Sequence, residues 1–387
     1  MEYKLADDTW NNDELNAIKR VIESNRFTMG QEVENFEQEW AKKVGSKYAI
    51  MSNSGSSANL LAIAALYYSG RLTDGDEVLV PAVSWSTTYF PLAQHNLCLK
   101  FIDIDKNSLN MDCKQIESAI TNKTKAICIV NLLGNSNDFD FISATCIKYN
   151  LILIEDNCES LGGTYKGKQL GTFGVLGTYS TFYSHHLCTM EGGITVTNDE
   201  ELYHYMLCIR AHGWTRNLPT NSSIYTKNLD SFYESYNFIM PGYNLRPLEI
   251  EAAIGIEQIK KLDKIIETRR QNAQYFLDSI KSIDNVRVQS EIGNSSWFGF
   301  ALVLENNNVG KRKLIIEALM RHQVEVRPIV AGNFTRNPAI RYINHTIHNE
   351  LKNADDIHEN GFFVGNHSQS NKDQIDLFIS VLKEVLV

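Results

Sequence analysis

The amino-acid sequence predicts an α/β protein: a large domain with a mostly parallel sheet over residues 1–245, then a smaller α+β domain over residues 246–387. Three observations lead there. Between Asp76 and Asp199, short and continuously apolar runs alternate with helix-like stretches. From Arg246 to about Ile283, Glu, Ile, Lys and Ala recur at helical spacing, which predicts one long connecting helix. Beyond it the pattern turns to strand, helix, strand and a last helix.

The apolar runs, in order, are "EVLVP", "LKFIDID", "KAICIVNLL", "LILIED", "TYSTFYS" and "GITVTND". A strand buried on both faces shows no polar alternation, so such runs fit a parallel sheet with helices on either side. Ligands of such folds collect at the carboxyl ends of the strands. In the second domain "SWFGFALVL", "KRKLIIEALMRHQ" and "VEVRPIV" read as strand, helix and strand. The stretch from Lys372 to Leu386 reads as an amphipathic helix.

Composition narrows the function. A formal net charge of −9 opposes nucleic acid or an anionic membrane as the main partner, yet leaves room for a small phosphorylated ligand held by local basic groups. The longest apolar run, Leu60 to Tyr68, is too short to span a bilayer. The opening "MEYKLADDTW" is acidic and lacks the apolar core of a signal peptide. The seven cysteines are scattered, without C-x-C or C-x-x-C pairs, which fits reduced thiols rather than a disulfide frame or a metal site. The expectation is a soluble cytoplasmic protein.

Four stretches carry the chemistry. "NSGSSANLLAIAALYY", from Asn53, runs small and hydroxyl residues straight into an apolar helix; its free N–H groups suit a phosphate, or form only a plain helix cap. "LILIEDNCES" ends an apolar strand on Glu155 and Asp156. A carboxylate there is either a cap or loop charge, or the partner of a protonated pyridine nitrogen. Trp85, in "PAVSWSTTYF", either lies flat on a ring-shaped ligand or belongs to the core or its rim. "STFYSHHLCTMEGG", Ser180 to Gly193, holds two histidines and no lysine; the flanking lysines are Lys168 and Lys227. A histidine makes no stable Schiff base, but it moves protons near neutral pH.

Together with "FTMGQEVENFEQEWA", "RAHGWTR" (Arg210 to Arg216) and "PGYNLRPLEIEAAIG" (Pro241 to Gly255), these stretches make the chain resemble the DegT/DnrJ/EryC1 family of nucleotide-sugar aminotransferases over nearly its whole length. The resemblance implies the aspartate-aminotransferase-like architecture of fold type I pyridoxal phosphate enzymes. In that family the internal lysine lies six residues before the glutamate of "EGG"; counting back from Glu191 lands on His185, with His186 beside it. The pairing of "SHH" with "MEGG" is similar to one branch of the family, the sugar 3-dehydratases of colitose biosynthesis.

Residue by residue, the resemblance implies that Gly55 and Ser56 cradle the cofactor phosphate, with Ser180 adding a hydroxyl. Asp156 pairs with the pyridine nitrogen, Trp85 stacks on the ring, and Glu159 takes the place of a family glutamine near the ring hydroxyl. Asn244 reaches the phosphate in a neighbouring subunit, which implies a homodimer with a shared active site. His212, Arg216, Arg327 and Asn333 are candidate contacts for the sugar nucleotide or for glutamate.

The implied reaction removes the C3 hydroxyl of a nucleotide-linked 4-keto-6-deoxy sugar. In this branch GDP-4-keto-6-deoxy-D-mannose becomes GDP-4-keto-3,6-dideoxy-D-mannose, a step of colitose-type O-antigen synthesis. The implied cofactor is pyridoxal 5′-phosphate cycling through pyridoxamine 5′-phosphate, with His185 as base and then acid. L-glutamate restores the amine, and 2-oxoglutarate and ammonia leave. No iron–sulfur cluster is expected, because beyond Cys188 only Cys208 lies nearby in sequence. Two alternatives stay open on the residues: an inert sugar-nucleotide-binding relative, and the same dehydration of a CDP- or dTDP-sugar.

Overall fold

The structure, a computed structural model describing residues 2–386, is organised around one eight-stranded sheet. In chain order the first strands are β1 (Tyr48–Ser52), β2 (Glu77–Pro81), β3 (Cys98–Ile102), β4 (Thr124–Val130) and β5 (Ile152–Asp156). A small hairpin of β6 (Thr164–Tyr165) and β7 (Lys168–Gln169) precedes β8 (Leu176–Ser180) and β9 (Gly193–Thr197). Then come β10 (Val286–Val288), β11 (Gly299–Leu304), β12 (Val326–Arg327), β13 (His345–Ile347) and β14 (Gly361–Gly365).

The large sheet runs β1-β9-β8-β5-β4-β2-β3-β13. Five of its seven pairings are parallel, the exceptions being the two made by β9. Because β9 opposes both neighbours, β1 points the same way as the parallel set, and the carboxyl ends of β1, β2, β5 and β8 share one edge. All six apolar runs between Asp76 and Asp199 form strands, as their two-sided burial requires. The run "TYSTFYS" outlasts its strand. β8 stops at Ser180 because the next amides turn to their own loop: Thr181 N–H donates to Gly192 O, and Tyr183 N–H to Met190 O.

Helix Gly55–Tyr68 is buried almost all round, between the sheet and helix Glu200–Ile209, which explains its lack of a polar face. The connecting helix spans Glu249–Ile280. It leads to a second, antiparallel sheet ordered β10-β11-β14-β12. The core over this sheet includes a stacked pair, Phe276 and Phe300, with ring centroids 4.3 Å apart. Two segments tie the cores together. Tyr3 is buried in the second core, where its hydroxyl donates to Gly365 O at 2.6 Å. β13, late in the chain, pairs in parallel with β3 at the edge of the large sheet.

One carboxylate joins the start of the connecting helix to the first turn of helix Gln31–Val44. Buried Glu249 accepts the N–H groups of Gly30, Glu32 and Val33 at 2.7, 3.0 and 3.0 Å. Such a group both satisfies orphan donors and faces the positive helix end. Glu249→Ala is expected to cost about 2–4 kcal/mol, read from urea unfolding at fixed protein concentration. A loss under about 1 kcal/mol would mean that water takes over the three donors.

Candidate active site

The site assembles where the strands end. Gly193, the first residue of β9, sits opposite Ser52 on one side and opposite Ser180 on the other. A Cβ on Gly193 would lie 2.1 Å from Ser54 O, so only glycine lets this rung abut the turn after β1. Gly55 is equally confined, since its Cβ would come within 2.6 Å of Ser180 Cβ and 3.1 Å of Cys158 Sγ. The turn after β1, the end of β8 and the turn after β5 therefore meet at one point. Ser54 caps the helix by accepting the Ser57 N–H at 3.1 Å, while the N–H groups of Gly55 and Ser56 have no protein acceptor among the described residues. With the Ser180 hydroxyl beside them, they form an anion cradle at a positive helix end.

Asp156 closes β5 and is buried. Its Oδ2 accepts from Asn59 Nδ2 at 2.9 Å and from Thr88 Oγ1 at 2.7 Å, and its Oδ1 accepts the Cys158 N–H at 3.1 Å. Asn59 is itself oriented by the Thr178 hydroxyl, 2.5 Å from Asn59 Oδ1. These donors lock the carboxylate at the end of the strand. Asn59 and Thr88 were not among the residues that the sequence pointed to. The available signal was faint: Asn59 is the only amide within the apolar helix that follows the cradle. Trp85 lies beyond β2 at the start of helix Ser86–Gln94 and is 58% exposed, so its indole does not belong to the core.

The two acids of "LILIED" part company, as alternation along a strand demands. Glu155 accepts the N–H groups of Gly171, Phe173 and Gly174 on the other side of the sheet, so it builds structure. Glu159 stays on the side of Asp156, and its Oε2 accepts the Leu133 N–H at 2.9 Å. Burial, helped by the charge of Asp156, pushes its carboxyl up to about 7.

The two histidines differ sharply. His186 is fully buried; its Nε2 lies 3.1 Å from the Ser296 carbonyl, which can only accept, so Nε2 carries the proton. Its Nδ1 is sealed and without a partner among the described residues. His185 keeps part of its ring accessible while its own Nδ1 is sealed without a partner, which leaves Nε2 as the nitrogen open to the cleft. Burial, and then the charge of Arg269, push His185 down to about 4. The same causes hold His186 well below its ordinary value. Both rings are neutral at pH 7, and only His185 can present a lone pair to a ligand.

The remaining candidates lie further out. Asn244 is exposed, and its Oδ1 accepts from Arg246 Nε at 3.0 Å. His212 is exposed in a left-handed conformation (φ 65°) and its N–H donates to Tyr243 O, which ties it to the Asn244 loop. Arg216 is exposed with its guanidinium over the Trp214 ring. Arg327 is exposed on β12. Asn333 is buried and its amide is committed: Nδ2 donates to Asp355, and Oδ1 accepts from the Thr335 N–H and hydroxyl. Within this one chain, Gly55, Ser56, Asp156, Glu159 and Ser180 come together, whereas Asn244, His212, Arg216 and Arg327 stand at the surface.

These features fit pyridoxal or pyridoxamine phosphate. The cradle is one that a Cβ would fill, the locked carboxylate suits a ring nitrogen, and the exposed indole suits a ring face. Among the described residues no three His, Cys, Asp or Glu side chains gather as a metal site would, and no helix is long and apolar enough to cross a membrane.

Comparison with known proteins agrees with this chemistry. Residues 8–383 match the DegT/DnrJ/EryC1/StrS aminotransferase family. The GDP-4-keto-6-deoxy-D-mannose 3-dehydratase of Escherichia coli O55:H7 is 52% identical over 99% of this chain and 100% of its own length. A crystal structure of GDP-4-keto-6-deoxymannose-3-dehydratase with a trapped PLP-glutamate geminal diamine superposes with a TM-score of 0.97 at 52% identity, covering 98% of this chain and 100% of that one. A histidine-to-asparagine variant of that enzyme with bound GDP-perosamine superposes at 0.96, with the same identity and coverage.

The buried neutral histidines make stability depend on pH. In the unfolded chain each ring titrates near 6.5, while in the folded chain His185 stays neutral to about 4 and burial holds His186 well below its ordinary value. Below pH about 6.5 the unfolded chain thus binds protons that the folded one refuses. The histidine contribution is therefore present in full above that pH and falls as pH drops towards 4, while buried Glu155, Glu159 and Glu251, each pushed up to about 7, act in the opposite sense between their ordinary range and about 7. Comparing thermal midpoints of wild type and His186→Asn between pH 7.5 and 4.5 isolates the histidine term: the variant is expected to lose less stability on acidification than the wild type. Equal slopes would mean that His186 is charged in the folded protein.

Proposed function

The chain belongs to the DegT/DnrJ/EryC1/StrS aminotransferase family, and from that premise we propose that it removes the C3 hydroxyl of GDP-4-keto-6-deoxy-D-mannose as a pyridoxamine-phosphate-dependent 3-dehydratase. The observation that carries the reading is a neutral histidine at the place of the family lysine, beside a cofactor cradle that is otherwise complete. An inert relative would have no reason to keep Asp156 locked by three donors.

When bound, the cofactor supplies a primary amine for the C4 ketone of the sugar and a pyridine ring that takes up electrons. The cradle at Gly55, Ser56 and Ser180 holds its phosphate. Asp156, fixed by Asn59 and Thr88, keeps the proton on the pyridine nitrogen. Trp85 covers one ring face, and Glu159 stands near the ring hydroxyl. His185, uncharged, takes a proton at C4′ through Nε2 and hands it to the departing C3 hydroxyl. Because a histidine cannot form the family lysine's covalent link, nothing ties the cofactor to the chain between turnovers. L-glutamate restores the amine, so the sugar loses one oxygen while 2-oxoglutarate and ammonia appear. The product belongs to colitose-type O-antigen synthesis, a cytoplasmic pathway step.

The active site is shared across a homodimer in this reading. Exposed Asn244 reaches the partner's phosphate cradle, and exposed His212, Arg216 and Arg327 serve the anionic groups of the sugar nucleotide or glutamate. Buried Asn333 supports the wall behind them. The exposed side chains Phe27, Tyr183, Met190 and Leu248 are apolar surface of the kind a second subunit covers.

Turnover tests the reaction. Purified protein with pyridoxamine phosphate, L-glutamate and the GDP-linked ketosugar is expected to yield a sugar lighter by one oxygen, with equimolar 2-oxoglutarate and ammonia. His185→Asn should lower kcat by at least about 1000-fold and leave cofactor absorbance intact; full activity in that variant would remove the role given to it. Turnover of only the CDP- or dTDP-sugar would move the nucleotide assignment. The shared site has its own test, in which inactive His185→Asn and Asn244→Asp proteins are mixed and allowed to exchange subunits. About a quarter of wild-type activity should return, whereas no recovery would place both residues in one subunit's site.

A further inference from the structure

Behind His185 lies a buried polar network that the reaction leaves unused. Its centre is the segment Ser296–Trp297–Phe298, which leads into β11. Each carbonyl of this segment is held by a side chain from a different element. His186, in the loop after β8, donates to Ser296 O at 3.1 Å. Arg269, on the connecting helix and only 2% exposed, donates to Trp297 O and Phe298 O at 3.4 and 3.2 Å. Asn366, just after β14, donates to Trp297 O at 2.9 Å. Arg269 makes no ion pair among the described residues, an expensive state for a buried guanidinium unless it serves a purpose.

The other side of the segment is fastened to the cofactor end of the site. Leu133 O accepts the Phe298 N–H at 3.0 Å, and Leu133 N–H donates to Glu159. Leu133 and Trp297 both adopt left-handed backbone conformations, with φ of 53° and 49°. For such side chains that geometry is costly, and it persists only where surrounding bonds over-determine it. What the strained segment delivers is Phe298, half-buried, with its ring centroid 5.1 Å from that of His185 at 65°. Phe182 meets the same imidazole from another side at 5.9 Å and 80°.

We propose that Phe298 is a positioning residue for His185: the clamp of His186, Arg269 and Asn366 on residues 296–298 presses its ring against the imidazole, fixing the ring's orientation and keeping water from its inner face. The inference rests on the reading of His185 as the proton-transfer group. It accounts for the second histidine of "SHH" as a strut and for a buried arginine that Asp7 acts on only at a distance, without a direct ion pair among the described residues. The charge facing the two rings supports it. Arg269 acts on His185, and Arg269 with Arg270 acts on His186, both from the connecting helix; with burial they outweigh the one group that favours an imidazolium, the Ser296 carbonyl at His186.

Phe298→Ala tests the clamp in the full-length protein, with histidine-labelled samples in which the His185 resonance is assigned from His185→Asn. Opening the inner face should raise the His185 titration midpoint by about one to two pH units. In the loaded enzyme kcat should fall about 10- to 100-fold with KM changed less than about threefold. If the alanine variant does not fold, Phe298→Leu keeps the volume and should move both readings in the same direction, by less. An unshifted His185 midpoint in a folded variant overturns the proposal, whatever happens to kcat, and so does a shifted midpoint with unchanged kcat. Because the titration needs no substrate, failure of the dehydratase reading would show as absent turnover in the wild type while the midpoint still reported on the clamp.

Discussion

Gly193 is the constraint on which the site depends. It is the rung shared by β1, β9 and β8, and its missing side chain brings the end of β1 against the start of β9. Through that rung the anion cradle and the two ends of the histidine loop are held side by side. Shifting β9 by a single residue would reverse its side chains and separate the two. The antiparallel strand in an otherwise parallel sheet is thus what carries the chain from Ser180 out through His185 and back to the same edge.

Around this frame the electrostatics divide cleanly. On the cofactor side, donors converge on Asp156 and fix its position. On the other side, His185 and His186 lie in a pocket where burial and Arg269 both oppose positive charge. Glu159 stands between, pushed up to about 7 and tied through Leu133 to the segment that bears Phe298. The ring that starts neutral keeps a free lone pair, but the burial that frees it also opposes the charge it would gain on taking a proton, so the setting trades basicity for a ready release of that proton. The same pocket would depress a lysine, so exchange of lysine for histidine changes the covalent chemistry more than the electrostatic demand.

Much of this was legible in the linear pattern. The apolar runs gave six of the eight strands in the large sheet, because a strand buried on both faces must be apolar throughout. β1 and β13 escaped: "YAIMS" is short, and "HTI" is a fragment whose pairing with β3 depends on contacts more than 200 residues apart. The phosphate-type turn from Asn53 and the acidic strand end at Glu155 and Asp156 are local signals in the sequence, while the roles of Gly55, Asp156 and Ser180 came from the family resemblance. Asn59, Thr88 and Thr178 could not be named from sequence, since a polar residue in a helix or strand gives no hint of which carboxylate it will meet.

The sequence by itself determined the α/β class, the order of the elements and, through resemblance, the exchange of a lysine for His185. Local periodicity and turn residues act over a few positions, and they are written along the chain. Only the tertiary structure decided which of two adjacent histidines keeps a nitrogen accessible, how Asp156 is locked, and that Arg269 lies buried near both imidazoles. Those are matters of burial and of donors meeting acceptors from distant segments. Adjacent residues on a loop carry the same label in sequence, but folding seals one ring and leaves the other at the edge of the site.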